Sequence, residues 1–165
     1  RRAGALSCDV PSRFCAAFSP DWRQPYYPTD WPCMSKLILV VDDDPDIARL
    51  YAMALGPLGE VSSVQSGAEA LILLGERRFD ALVLDLYMPA VSGFDVMDNL
   101  AEASHLNHTM PVFVVTADQS ETTRARVMRR GAIFQLTKPV PLRVLVDQVR
   151  AQLERRSQRS RRGAG

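Results

Sequence analysis

From Lys36 onward the chain alternates between short apolar runs and longer amphipathic stretches, and the pattern repeats five times. The apolar runs span residues 37–41, 61–64, 81–84, 112–115 and 133–136. Each has the length of a strand and is rich in valine or leucine, and most lack the every-other-residue polarity of a half-exposed strand. Such runs suit strands buried on both faces of a sheet. The stretches between them carry helix start signals. Asp44-Pro45 reads as an N-cap with proline at the first helical position, ahead of Ile47, Leu50, Tyr51 and Ala54. Ser66 and Glu69 have capping-box spacing before Leu71, Ile72 and Leu74. Ser92 or Gly93 opens a third helix with Phe94, Met97 and Leu100 as its apolar residues. A fourth runs from about residue 120 to Arg130 and stops at Gly131. A fifth follows Pro141, with Leu142, Leu145, Val146, Val149 and Leu153 on one face. Pro57, near the end of the first helix, is expected to shorten or kink it.

Five β-α repeats require crossover connections, and these are right-handed, so the strands form a parallel sheet with helices on both faces. The fold class is α/β and doubly wound. Strand order 2-1-3-4-5 places the first and third strands side by side at the switch point, where such sheets bind ligands.

Residues 1–33 have no such period. They hold five of the 11 prolines, with Trp22, Tyr26, Tyr27 and Trp31 interspersed. They read as an irregular N-terminal extension of a domain spanning 34–156, or alternatively as an arm whose aromatics dock on a partner. All three cysteines fall there, with no close pair and no histidine nearby, so neither a disulfide framework nor a zinc site is expected.

At 165 residues the chain has room for one domain with a full core. No run approaches the roughly 18 apolar residues of a membrane span, and Arg1-Arg2 is followed by no apolar core of a secretory signal. A cytoplasmic protein is expected. The formal net charge of +1 conceals an asymmetry, because 12 of the 20 basic residues lie after Glu121. That suits a solvated helix face and a basic disordered tail at 157–165 better than a nucleic-acid surface.

The chemistry lies at the strand ends. The first strand ends in Asp42-Asp43-Asp44, the third in Asp85, the fourth in Thr116, and the fifth is followed by Lys138. Taken singly, each has an ordinary structural explanation as a cap, a turn or a solvated charge. The topology, however, collects them on one edge. Carboxylates about 4 to 5 Å apart repel by roughly 3 to 4 kcal/mol at an effective dielectric of 20, so the cluster calls for a cation. Hard oxygen donors without histidine or cysteine point to Mg²⁺. A carboxylate is also a competent nucleophile towards phosphorus. A lysine and a hydroxyl beside it would stabilise the transferred phosphoryl oxygens.

The segments Ile38 to Pro45, Leu82 to Pro89 with Gly93, Val114 to Ala117, Gly131-Ala132 and Thr137-Lys138-Pro139 resemble, in order and spacing, a response-regulator receiver domain of two-component signalling. The resemblance covers residues 36 to about 154 and implies a flavodoxin-like fold of five strands and five helices. It also implies Asp85 as phosphoacceptor, with Thr116 and Lys138 as its catalytic companions. Mg²⁺ would be held by Asp43, Asp85 and the Tyr87 backbone carbonyl, with Asp42 acting through a water. A cis Lys138–Pro139 bond is implied as well. The expected donor is a sensor histidine kinase or a histidine phosphotransfer protein. Output would pass to a downstream protein, or to a second copy through the face of the fourth helix, fifth strand and fifth helix. A chemotaxis-type single-domain regulator and a receiver cut from a larger protein both fit the length.

One departure concerns the switch. Receivers usually carry an aromatic residue three positions before the lysine, and here that position is Gln135. The neighbouring Phe134 falls on the opposite face of the strand. Two rival readings stand beside the receiver. Asp42-x-Asp44 resembles the entry motif of haloacid-dehalogenase-type phosphatases, with Asp42 as nucleophile and Asp44 as acid/base, but leaves Asp85 unused. An interaction module that works without phosphorylation is the other.

Overall fold

The computed structural model describes residues 36–102 and 104–162. Its strands are β1 (Leu37–Val41), β2 (Glu60–Val64), β3 (Ala81–Leu84), β4 (Val112–Thr116) and β5 (Phe134–Thr137). They alternate with α1 (Pro45–Leu55), α2 (Gly67–Glu76), α3 (Gly93–Leu100), α4 (Glu121–Arg129) and α5 (Leu142–Arg162). The sheet is parallel throughout, in the order β2-β1-β3-β4-β5, as the periodicity predicts.

The two faces of the sheet carry separate cores. Leu39, Val41, Leu82, Leu84 and Val114 pack with Leu74, Phe94, Met97 and Val127 under α2, α3 and α4. Ile38, Val40, Val83, Phe113 and Val115 pack with Tyr51, Leu55, Leu145, Val149 and Leu153 under α1 and α5. Strands β1, β3 and β4 are sandwiched between these layers, which explains their unbroken apolar runs. Each fully buried large side chain contributes about 1.5 to 3 kcal/mol, so the three central strands are the rigid frame from which the polar strand ends project.

The helix starts follow the sequence signals. Asp44 caps α1 by accepting from the Asp46 and Ile47 amides at 2.9 and 3.2 Å. Ser66 caps α2, but the Glu69 carboxylate bonds the Gln65 amide rather than that of Ser66, so the expected capping box is displaced by one residue. Ser92 and Asp95 form a reciprocal box at α3. Helix α1 ends at Leu55 and gives way to a 3₁₀ turn, Gly56–Leu58, that contains Pro57.

One correction concerns the C-terminal segment. Residues 157–162, expected in a disordered tail, continue α5. Arginine and glutamine are good helix formers, and neither glycine nor proline interrupts the chain before Gly163. Residues 1–35, with the extension and its cysteines, lie outside the described residues, as do 163–165. Not all of the basic residues are solvated either. The Arg126 guanidinium lies 3.8 Å from the centre of the Phe94 ring. Arg130 forms a two-point ion pair with Asp98 at 2.6 and 3.0 Å. Arg156 donates to the Thr109 carbonyl.

Candidate functional site

The C-terminal edge of the sheet gathers the acidic residues. Asp85 continues the run of β3, its amide donating to the Val41 carbonyl at 2.9 Å. Asp42 follows β1 in the same way, its amide donating to the Val64 carbonyl. Both are buried, at 7 and 1% exposure, whereas Asp43 faces solvent. Carboxylate oxygens of Asp42, Asp43 and Asp85 lie within 4.8 Å of one another. Opposite them, the Lys138 ammonium sits 2.7 Å from Asp42 Oδ2 and 2.8 Å from Asp85 Oδ2. Lys138 directly follows β5, and its own amide bonds the Thr116 carbonyl at 2.9 Å. The Lys138–Pro139 bond is cis.

These charges perturb one another. Burial pushes the Asp42 carboxyl above the usual aspartate range, and Lys138 offsets only part of that rise. Burial acts to lower the Lys138 ammonium, but its hydrogen bonds to Asp42 and Asp85 outweigh this and hold it above its ordinary value. Tyr51, on the buried face of α1, is raised by burial and feels the charges of Lys138, Asp42 and Asp85. Three carboxylates against one ammonium leave the cluster with a formal deficit of positive charge. That deficit, the hard oxygen donors and the partly open position of Asp43 fit a divalent cation such as Mg²⁺.

The two oxygens of Asp85 have different partners. Oδ1 accepts from the Leu86 amide at 2.7 Å and, more weakly, from the Tyr87 amide at 3.5 Å. Oδ2 faces the lysine. The loop that presents them is held by Gly93, whose amide bonds the Leu86 carbonyl at 2.9 Å. A Cβ at Gly93 would lie 2.2 Å from the Asp85 carbonyl oxygen, far inside contact distance. Gly93→Ala is therefore expected to destabilise the fold by about 2 to 4 kcal/mol, measured by urea unfolding, because backbone has to move beside the site.

Not every expected site residue joins the cluster. The Thr116 side chain is buried, and its hydroxyl oxygen accepts from the Asp118 amide at 3.2 Å. Tyr87 is 55% exposed, and its hydroxyl donates to Asp118 Oδ2 at 2.7 Å. Asp44 is exposed and engaged as the cap of α1, so it is not free to serve as an acid/base. Asp118 was not among the residues singled out, although its position two after Thr116 at a strand end was a usable signal. Gln135 replaces the expected aromatic with a polar contact, donating from Nε2 to the Asp118 carbonyl at 3.1 Å. Its Oε1 is buried without a partner among the described residues. Phe134 lies on the other face of β5, 36% exposed.

The model of the response regulator receiver domain matches residues 38–150. The chain belongs to the response regulator receiver family. Three comparisons give this scale. The transcriptional regulatory protein PrrA of Mycobacterium tuberculosis is 39% identical over 123 residues, covering 74% of this chain and 52% of PrrA. The structure of the response regulator DrrB of Thermotoga maritima, an OmpR/PhoB homolog, matches with a TM-score of 0.67 at 28% identity, over 74% of this chain and 54% of that one. A CheY-like receiver domain protein from Methanospirillum hungatei shares the fold, with a TM-score of 0.71 at 24% identity over 76% of this chain and 99% of that chain. The chain spans about half the length of the curated relatives it matches. Receivers are the phosphorylated input domains of two-component signalling, downstream of a histidine kinase. The haloacid-dehalogenase alternative is not favoured. Among the described residues of this receiver, no helix is long and apolar enough to cross a membrane.

Proposed function

We propose that this receiver accepts a phosphoryl group on Asp85, with Mg²⁺ held by Asp43, Asp85 and the Tyr87 carbonyl and with Asp42 ligating through water. The observation that carries the reading is the position of Lys138, which bridges Asp42 and Asp85 with Asp43 beside them. Asp85 Oδ2, which faces Lys138, is the attacking oxygen, while Oδ1 stays bonded to the Leu86 and Tyr87 amides. It bonds to phosphorus as the P–N bond to a donor histidine breaks, and the electron pair leaves with the imidazole, which takes up a proton. The product is an acyl phosphate. Lys138 then transfers its hydrogen bond from the carboxylate to a phosphoryl oxygen, and the Thr116 hydroxyl turns to donate to another. When bound, the metal supplies positive charge that screens the approach of the anionic phosphoryl group.

The donor is a sensor histidine kinase or a histidine phosphotransfer protein, and we place the protein in the cytoplasm with it. The downstream contact is assigned to α4, β5 and α5, where Met128, Ile133, Phe134 and Val144 are 36 to 40% exposed. It serves either a partner protein or a second copy.

The test is incubation of the protein with Mg²⁺ and acetyl phosphate, followed by intact mass. One phosphoryl group is expected, and chelation of the metal should suppress it. Phosphate trapped on Asp42 instead would favour the phosphatase reading. Absence of label with every donor would favour a module that acts without phosphorylation.

A further inference from the structure

Asp118 is bonded at every polar group it has, and its partners lie on four different elements. Its carboxylate accepts from the Tyr87 hydroxyl at 2.7 Å, the Thr123 hydroxyl at 2.6 Å and the Ser120 amide at 2.8 Å. Its amide donates to Thr116 Oγ1, and its carbonyl accepts from Gln135. Tyr87 belongs to the loop that presents Asp85, Thr116 ends β4, Thr123 lies in the first turn of α4 and Gln135 in β5. Hydrogen bonds to the carboxylate are charge-assisted, and together they hold it well below the usual aspartate range.

We propose that Asp118 joins the Asp85 loop to α4 through the Tyr87 hydroxyl, and that a phosphoryl group on Asp85 opens this joint and loosens the first turn of α4. The inference rests on Asp85 being the phosphoacceptor. Three changes act together. Converting the Asp85 carboxylate into an acyl phosphate leaves Oδ1 a neutral carbonyl oxygen, a weaker acceptor for the Leu86 and Tyr87 amides, so the loop that carries Tyr87 is less firmly held. Turning the Thr116 hydroxyl towards the phosphoryl group draws its oxygen away from the Asp118 amide. The added negative charge at the same sheet edge also opposes the Asp118 carboxylate. Tyr87 is more than half exposed, so its released hydroxyl is satisfied by water. Gln135 makes the arrangement particular to this chain, since its side-chain amide donates to the Asp118 carbonyl from the position that receivers usually fill with an aromatic residue.

Hydrogen exchange of the Thr123 and Arg124 amides, which bond Ser120 at 3.2 and 3.0 Å, reports on this turn. Mass of the same samples reports phosphoryl uptake. In the native protein, phosphorylation should speed their exchange by about tenfold, the equivalent of one or two hydrogen bonds. Tyr87→Phe, which removes only the hydroxyl, should show that faster exchange before any phosphorylation, and Asp118→Asn should do the same. The double variant should be no faster than Asp118→Asn alone, because losing the carboxylate already removes the acceptor of the Tyr87 hydroxyl. The proposal is overturned if Tyr87→Phe and Asp118→Asn exchange at the native rate, or if their effects add. Phosphoryl uptake with unchanged α4 exchange would overturn the joint alone. Failure of the native protein to take up phosphate at all would overturn the phosphoacceptor reading and the joint with it.

Discussion

Asp85→Asn takes up no phosphoryl group from acetyl phosphate or from a phosphohistidine donor, while its fold is retained or made slightly more stable. The amide oxygen that replaces Oδ2 carries no full negative charge and cannot form a stable bond to phosphorus, so the nucleophile is lost outright. Stability moves the other way. In the native protein Asp85 is buried beside Asp42, and one lysine serves both. Removing one of two buried like charges relieves repulsion, and Lys138 stays paired with Asp42. Intact mass and a thermal melt together check this outcome. Uptake that persists at native stoichiometry would move the nucleophile to another carboxylate, and a large drop in melting temperature would mean that the charge balance of the cluster has been misread.

Lys138→Ala has the opposite signature. Without the ammonium, Asp42 and Asp85 face each other with no counter-charge from the protein. Breaking a buried pair in this way costs about 3 to 5 kcal/mol. The loss should be largest in the presence of a chelator and should shrink when Mg²⁺ is added, because the cation then supplies the missing charge. Phosphoryl uptake should slow by roughly a hundredfold, the usual consequence of removing one stabilising cation or donor from a transition state. Urea unfolding with and without Mg²⁺, beside a time course of uptake, separates the two effects. Equal stability of native and variant protein in chelator would contradict the role given to Lys138.

The parts of the molecule legible in the sequence are those set by periodicity and by strand ends. The runs at 37–41, 81–84 and 112–115 are buried on both sides, and burial on both sides is what an unbroken apolar run encodes. Once the strand order was drawn, Asp42, Asp43, Asp85 and Lys138 had to meet, because a parallel sheet puts all its C-terminal strand ends on one edge. Contacts that depend on side-chain direction were not legible. Arg126 and Arg130 read as part of a solvated basic face, yet they close over Phe94 and Asp98 of α3. A long aliphatic stem can lie along an apolar surface while its charged end finds a partner, and composition does not distinguish that from full solvation. Asn107 was equally invisible. It is 4% exposed and binds the Phe79 amide and the Leu74 and Arg77 carbonyls, closing the opposite edge of the sheet from a loop without periodicity. At the end of α5 charge density points to disorder, yet helix propensity prevails there.

Among the nine residues of α4, only Thr123 and Val127 are buried. One valine is worth a few kcal/mol at most, and an exposed ion pair such as Arg130–Asp98 adds about 0 to 1 kcal/mol. A helix seated so lightly is expected to exchange with a displaced position even before phosphorylation, and a gap of about 2.7 kcal/mol would leave roughly 1% of molecules displaced. Phosphorylation then has no new structure to build. It is expected to reweight these two populations, and a change of about 3 kcal/mol at the sheet edge is enough to make them comparable.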